Sequence, residues 1–95
     1  MKVAWTRPAL RQLAEAREYI AIDNPGAASR QIQRIEKSVT QLTAFPMMGR
    51  GGMRVRTREF PVPGTPYILV YRVAKTKLQI LALLHGGRNW KVESS

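Results

Sequence analysis

The spacing of hydrophobic positions changes several times along the chain, and each change predicts an element. Residues 2–5, "KVAW", place Val3 and Trp5 in step and read as a short first strand. Thr6 can cap the helix that follows, and Pro8 falls in its first turn, where a missing N–H costs nothing. This helix runs to about Asp23. At about 100° per residue, Leu10, Leu13, Ala14, Ile20 and Ala21 share one arc, with Ala9 and Ala16 beside it and Arg11, Glu15 and Glu18 opposite. Arg17 falls inside the apolar arc. Its position predicts either a stem lying along the helix or a stretch of the arc left open for a partner.

"DNPGAA" is a break followed by a restart, with Asn24 as cap and Pro25 at the first helical position. The second helix carries Ala28, Ile32, Ile35, Val39 and Leu42, a seam that packs lengthwise on a neighbour, and it ends before Pro46. So short a link makes the two helices an antiparallel hairpin. "PMMGRGG" reads as a loop. "MRVRTREF", 53–60, alternates Met53, Val55 and Thr57 with Arg54, Arg56 and Arg58, which predicts a strand with an arginine face. "PVPGTP" is a rigid connection. "YILVYRV", 67–73, and "LQILALLH", 78–85, are strands joined by a tight polar turn, and the second is apolar enough to be central. The expected fold is α+β, in the order β-α-α-β-β-β: an antiparallel sheet with a helical hairpin packed on one face. The other face stays available for binding.

The length fits one domain spanning residues 1–95, with a single modest core. The absence of cysteine removes disulfides and thiolate metal sites and suits a reducing compartment. No apolar run approaches the roughly 20 residues that span a bilayer, and "MKVAWTRPALRQ" has no leader-like apolar segment. The expectation is a soluble, cytoplasmic protein without membrane contact.

Charge changes this picture most. Sixteen Lys and Arg face six Asp and Glu, a net charge of +10. Residues 1–45 hold seven basic and four acidic groups, net +3, and residues 46–95 hold nine and two, net +7. Such a field attracts nucleic acid, ribosomes or an acidic protein. Arg50, Arg54, Arg56, Arg58, Arg72 and Arg88 form the candidate target-binding set, against the plainer reading of alternate arginines as a solvated strand face that blocks edge aggregation.

One histidine and scattered carboxylates do not make a standard metal ligand set, so neither metal nor other cofactor is expected. Ser29 and Ser38 lie on a helix and Ser94 and Ser95 in the tail, none in a nucleophile-elbow setting. Metal-free RNA cleavage needs a base, an acid and cations around the phosphorane. The cations abound, but arginine stays protonated. The acid and base would have to come from Glu59, His85, Tyr67 or Tyr71, with Arg72 as the cation beside them. A lone histidine closing a strand, followed by Gly86 and Gly87, has a structural reading as well.

Four stretches taken together, "DNPGAA", "FPMMGRGG", "REFPVPGTPYILVYRV" and "ILALLHGGRNW", give a chain that resembles the ParE/RelE superfamily. These are the toxins of type II toxin–antitoxin modules, often labelled plasmid stabilisation proteins. The match covers nearly the whole chain in order. The resemblance implies a cytoplasmic toxin held inactive by a cognate, acidic, ParD-like antitoxin that folds as it wraps the toxin, with Arg17, Tyr19 and Ile22 as contact residues. ParE-type members act on DNA gyrase and are not nucleases. RelE-type members cleave mRNA on the ribosome with a Lys/Arg set and a C-terminal tyrosine, or a Glu–Arg–His–Tyr set. Here Gly86 follows His85, no tyrosine occurs after Tyr71, and lysine near the second strand is limited to Lys75 and Lys77. The resemblance is therefore closer to the gyrase-directed type. The alternatives are a ribosome-dependent endoribonuclease using His85, Glu59 and Arg72, and an inactive module that only binds antitoxin.

Overall fold

The computed structural model describes residues 1–86. The chain runs β1 (Lys2–Trp5), α1 (Arg7–Asp23), α2 (Pro25–Ala44), a single 3-10 turn (Pro46–Met48), β2 (Arg50–Gly51), β3 (Arg58–Pro61), β4 (Tyr67–Ala74) and β5 (Lys77–His85). The sheet order is β1-β5-β4-β3-β2. The expected α+β architecture is present, with two refinements. β1 pairs in parallel with β5, Lys2 opposite Lys77 and Trp5 opposite Ile80, so the sheet is mixed. A two-residue strand, β2, is added at the far edge. β2 to β5 alternate in direction through antiparallel pairings, and the last of them comes back beside β1 running the same way, so everything from α1 to β4 serves as the crossover that a parallel pair needs. No helix of the described residues is long and apolar enough to cross a membrane.

Local signals set the helix ends. The Thr6 hydroxyl accepts from Ala9 N at 3.3 Å and donates to the carbonyls of Ile80 and Leu81. Asn24 closes both helices. Its N–H donates to the Ile20 carbonyl, and its side chain accepts from Ala27 N at 3.1 Å. β1 stops at Trp5, leaving the edge of β5 uncovered beyond Ile80. Thr6 takes the freed carbonyls there, and the Gln12 side chain accepts from Leu83 N at 2.8 Å. The edge is thus covered by α1 instead of a strand.

All five seam residues of α2 are buried, as the periodicity predicts. The buried face of α1 differs from the expected arc: Ala9, Ala16 and Ile20 are buried with Leu13 packed beside them, while Leu10 is 51% exposed and Ala14 faces out. Small residues at 9 and 16 allow close approach to the neighbouring elements, and that contact outweighs burying one more leucine. Arg17 lies on the exposed flank with Leu10 and Ala14. The inward sheet positions Tyr67, Leu69, Tyr71, Leu78, Ile80 and Leu83 complete the core, with Trp5 packed against it.

β4 and β5 are joined by Lys75 and Thr76. Lys75 sits at φ 57, a conformation unfavourable for a side-chain-bearing residue by about 1 kcal/mol and natural to glycine. Lys75→Gly should raise stability by up to about 0.5 kcal/mol in urea denaturation, because part of that gain is offset by the freer unfolded chain. A lowered midpoint would contradict this reading.

Candidate functional site

The basic rim is assembled at the β2–β3 edge. Arg50 pairs across the sheet with Glu59, and Gly51 with Arg58. The Glu59 carboxylate accepts from Met53 N at 3.3 Å and lies 3.6 Å from the Arg50 guanidinium. Arg50 is largely exposed, so the pair adds little stability and chiefly orients the two side chains. Arg58 donates from Nη1 to the Gly49 carbonyl at 2.7 Å. Beneath it the Tyr71 hydroxyl donates to the Pro46 carbonyl at 2.6 Å and accepts from Gly49 N at 2.9 Å. Burial pushes the Tyr71 pKa above 10.0, against the lowering pulls of the Gly49 N–H and of Arg58. Tyr71 therefore ties the loop after α2 to the sheet. A Cβ on Gly49 would stand 2.5 Å from its hydroxyl oxygen. Contacts separated by 22 and 25 residues leave no one-dimensional signal, and the sequence offered Tyr71 only as a candidate acid or base.

Residues 53–57 are not the strand that the alternation predicts. With Arg50–Gly51 paired to Arg58–Glu59, the segment between forms a hairpin loop. Gly52 N donates to the Thr57 carbonyl at 2.8 Å, and the Thr57 hydroxyl donates to the Arg54 carbonyl at 2.7 Å. Met53 and Val55 are 64% and 88% exposed. At the sheet edge they have nothing to pack against, and local polar groups satisfy the backbone instead. Arg54 and Arg56 stand at the tip of this loop, Arg56 at φ 66. The arginines thus form a rim with a projecting tip and no flat stripe.

His85 sits elsewhere. β4 and β5 pair as Ala74–Lys77 through Tyr71–Ile80, then shift by one so that Tyr67 faces His85. The extra residue, Leu81, is a bulge that turns His85 to the helical side. Its ring meets Tyr67 edge-on at 5.3 Å and Tyr19 at 6.1 Å. Gly86 N donates to the Pro66 carbonyl at 2.7 Å and ends the strand. A shallow cleft here is lined by Tyr19, Asp23, Gln31, Tyr67 and His85, among others. Glu59 lies opposite Val70, an odd number of residues from Tyr67, and so projects from the other sheet face. Two strand spacings and three residues put Glu59 and His85 about 14 Å apart. Arg72 is on the exposed face, donating to the Gln79 side chain at 2.6 Å. Glu59 and Arg72 thus share a sheet face as diagonal neighbours on β3 and β4, His85 is on the other face, and Tyr67 and Tyr71 are both buried. Arg88 lies outside the described residues. Arg17 and Tyr19 are about 200° apart round α1, on opposite flanks, while Ile22, near the helix end, is 80% exposed. Among the described residues no group of three His, Cys, Asp or Glu could hold a metal ion.

Comparison with known proteins accords with this architecture. A solved chain of the chromosomal ParDE TA system from P. aeruginosa superposes with a TM-score of 0.79 at 26% identity, covering 90% of this chain and 95% of that one. Toxin RelE2 of Caulobacter vibrioides is 32% identical over 87 residues, 92% of this chain and 97% of that protein. The candidate toxin Y4kP of Sinorhizobium fredii is 38% identical over 89 residues, 94% of this chain and 92% of its own length. Residues 3–90 match the family described as the ParE toxin of the type II toxin–antitoxin system parDE. The chain belongs to the ParE toxin family and is the toxin component of a type II module.

Proposed function

We propose that this toxin acts in the cytoplasm by inhibiting DNA gyrase and is neutralised by a cognate acidic antitoxin of the ParD kind. Membership of the ParE family carries the reading. The separation of His85 from Glu59, on opposite faces of the sheet, supports it, because RNA cleavage needs an acid and a base converging on one ribose and phosphate. Purified toxin should inhibit gyrase supercoiling and trap cleaved DNA, and added antitoxin should reverse both effects. Uninhibited gyrase would contradict the reading, and unharmed growth of cells expressing the toxin alone would favour an inactive antitoxin-binding module.

The net charge of +10 makes an acidic antitoxin a fast-associating partner. Arg17, exposed on α1, is a contact residue in this reading. Arg17→Glu should weaken antitoxin binding by about tenfold in calorimetry, chiefly through a slower on-rate. An unchanged affinity would remove Arg17 from the interface.

A further inference from the structure

A second basic feature lies away from the β2–β3 rim. Arg30, Arg34, Lys37 and Gln41 fall within about 60° of one another round α2, at spacings of four, three and four residues. Together with Gln33, Ser38 and Pro63 they line a long open groove between α2 and the β3–β4 connection. The three cations span about 10 Å along the helix axis. The acidic residues Glu15, Glu18, Asp23, Glu36 and Glu59 are all absent from its lining. Among the described residues, no carboxylate is ion-paired with Arg30, Arg34 or Lys37.

Two glycines make room for guanidinium groups of the groove. The Arg34 guanidinium lies directly over Gly64, which is held at φ 76, where a Cβ would collide with it. The Arg30 guanidinium passes over Gly26, 3.3 Å from where a Cβ would stand. The Arg34 fork thus rests on the β3–β4 connection and the Arg30 fork on the first turn of α2, contacts that lower the ordering cost of engaging an anion although both side chains stay exposed.

We propose that this α2 groove binds the sugar–phosphate backbone of duplex DNA without reading its sequence. Guanidinium forks suit phosphate oxygens, and the Gln33 and Gln41 amides can donate to backbone oxygens. An acidic amphipathic peptide needs apolar anchorage, and Pro63 is the one apolar residue in the lining. A single strand is held by stacking on aromatic rings, and the lining contains none. The choice of DNA over duplex RNA rests on the gyrase reading; the phosphate chemistry does not.

The test uses the purified chain and a labelled 20-base-pair DNA duplex, without gyrase, followed by fluorescence anisotropy across a salt series. Each phosphate neutralised contributes about 0.9 to the slope of log K against log salt. The Arg30→Gln/Lys37→Gln variant keeps Arg34 on Gly64 and should lower that slope by about 2. Arg7→Gln/Arg11→Gln, with the same loss of net charge on α1, should leave it unchanged. Circular dichroism checks that both variants are folded. No duplex binding at low salt, an unaltered slope in the α2 variant, or an equal fall in the α1 variant would overturn the proposal. Tighter binding to duplex RNA or to an acidic peptide would overturn it too. Gyrase inhibition is read in a separate assay, so either result can fail without the other.

Discussion

Replacing Gly49 with alanine should destabilise the toxin by about 2–3 kcal/mol, the cost of forcing a methyl group into a packed junction. The backbone at Gly49 is ordinary extended chain, φ −72 and ψ 152, so conformation does not demand glycine there. Space does: the added Cβ would meet the Tyr71 hydroxyl at 2.5 Å and its ring at 2.8 Å. Tyr71→Phe should cost a similar amount, about 2–4 kcal/mol, because it leaves Gly49 N and the Pro46 carbonyl without their partner. The two changes should not add. Removing the hydroxyl makes room for part of the methyl group, so the double variant should be more stable than the sum by at least about 0.5 kcal/mol. Chemical denaturation of the four proteins decides it, and strict additivity would show that the two residues do not share a contact.

The same junction carries a pH signature. The folded pKa of Tyr71 is raised, so the native state holds its proton longer than the unfolded chain. Its contribution is fully present below the unfolded value, near 10.0, and is lost as pH rises through the raised folded value. Wild-type stability should fall with alkaline pH from about 10 upward. Tyr71→Phe should fall less steeply there.

Gyrase inhibition should weaken by about tenfold or more when the loop tip loses its charge in Arg54→Gln/Arg56→Gly, with little loss of fold. Arg56 occupies a left-handed conformation, so glycine there relieves strain of about 1 kcal/mol and offsets other local losses. The variant thus separates charge from stability. A dose–response in supercoiling assays together with a thermal melt measures both. Retained potency would move the target-binding surface away from the β2–β3 loop.

The helical hairpin was legible in the sequence because its signals are local. Asn24 and Pro25 mark the break, and the α2 seam repeats cleanly from Ala28 to Leu42. α1 was less legible, since alanine belongs to either face and the choice between Ala9/Ala16 and Leu10/Ala14 is made by neighbours distant in sequence. The apparent strand at 53–57 misled because alternation signals a strand only where a sheet lies beneath it. In the loop, Glu59 and Thr57 hold the backbone instead. His85 could be seen to end a strand, but the bulge at Leu81 that aims it at Tyr67 and Tyr19 has no sequence mark. Of the candidate site, the abundance of arginine was legible; its division between the β2–β3 rim, its loop tip and the α2 groove required the fold.

Two assays run side by side on the purified toxin separate the gyrase and ribosome readings: gyrase supercoiling of plasmid DNA, and cleavage of mRNA with and without ribosomes. Supercoiling should be inhibited with cleaved DNA accumulating, and mRNA should stay intact in both conditions. Unaffected gyrase together with ribosome-dependent cleavage that His85→Ala abolishes would contradict the gyrase reading.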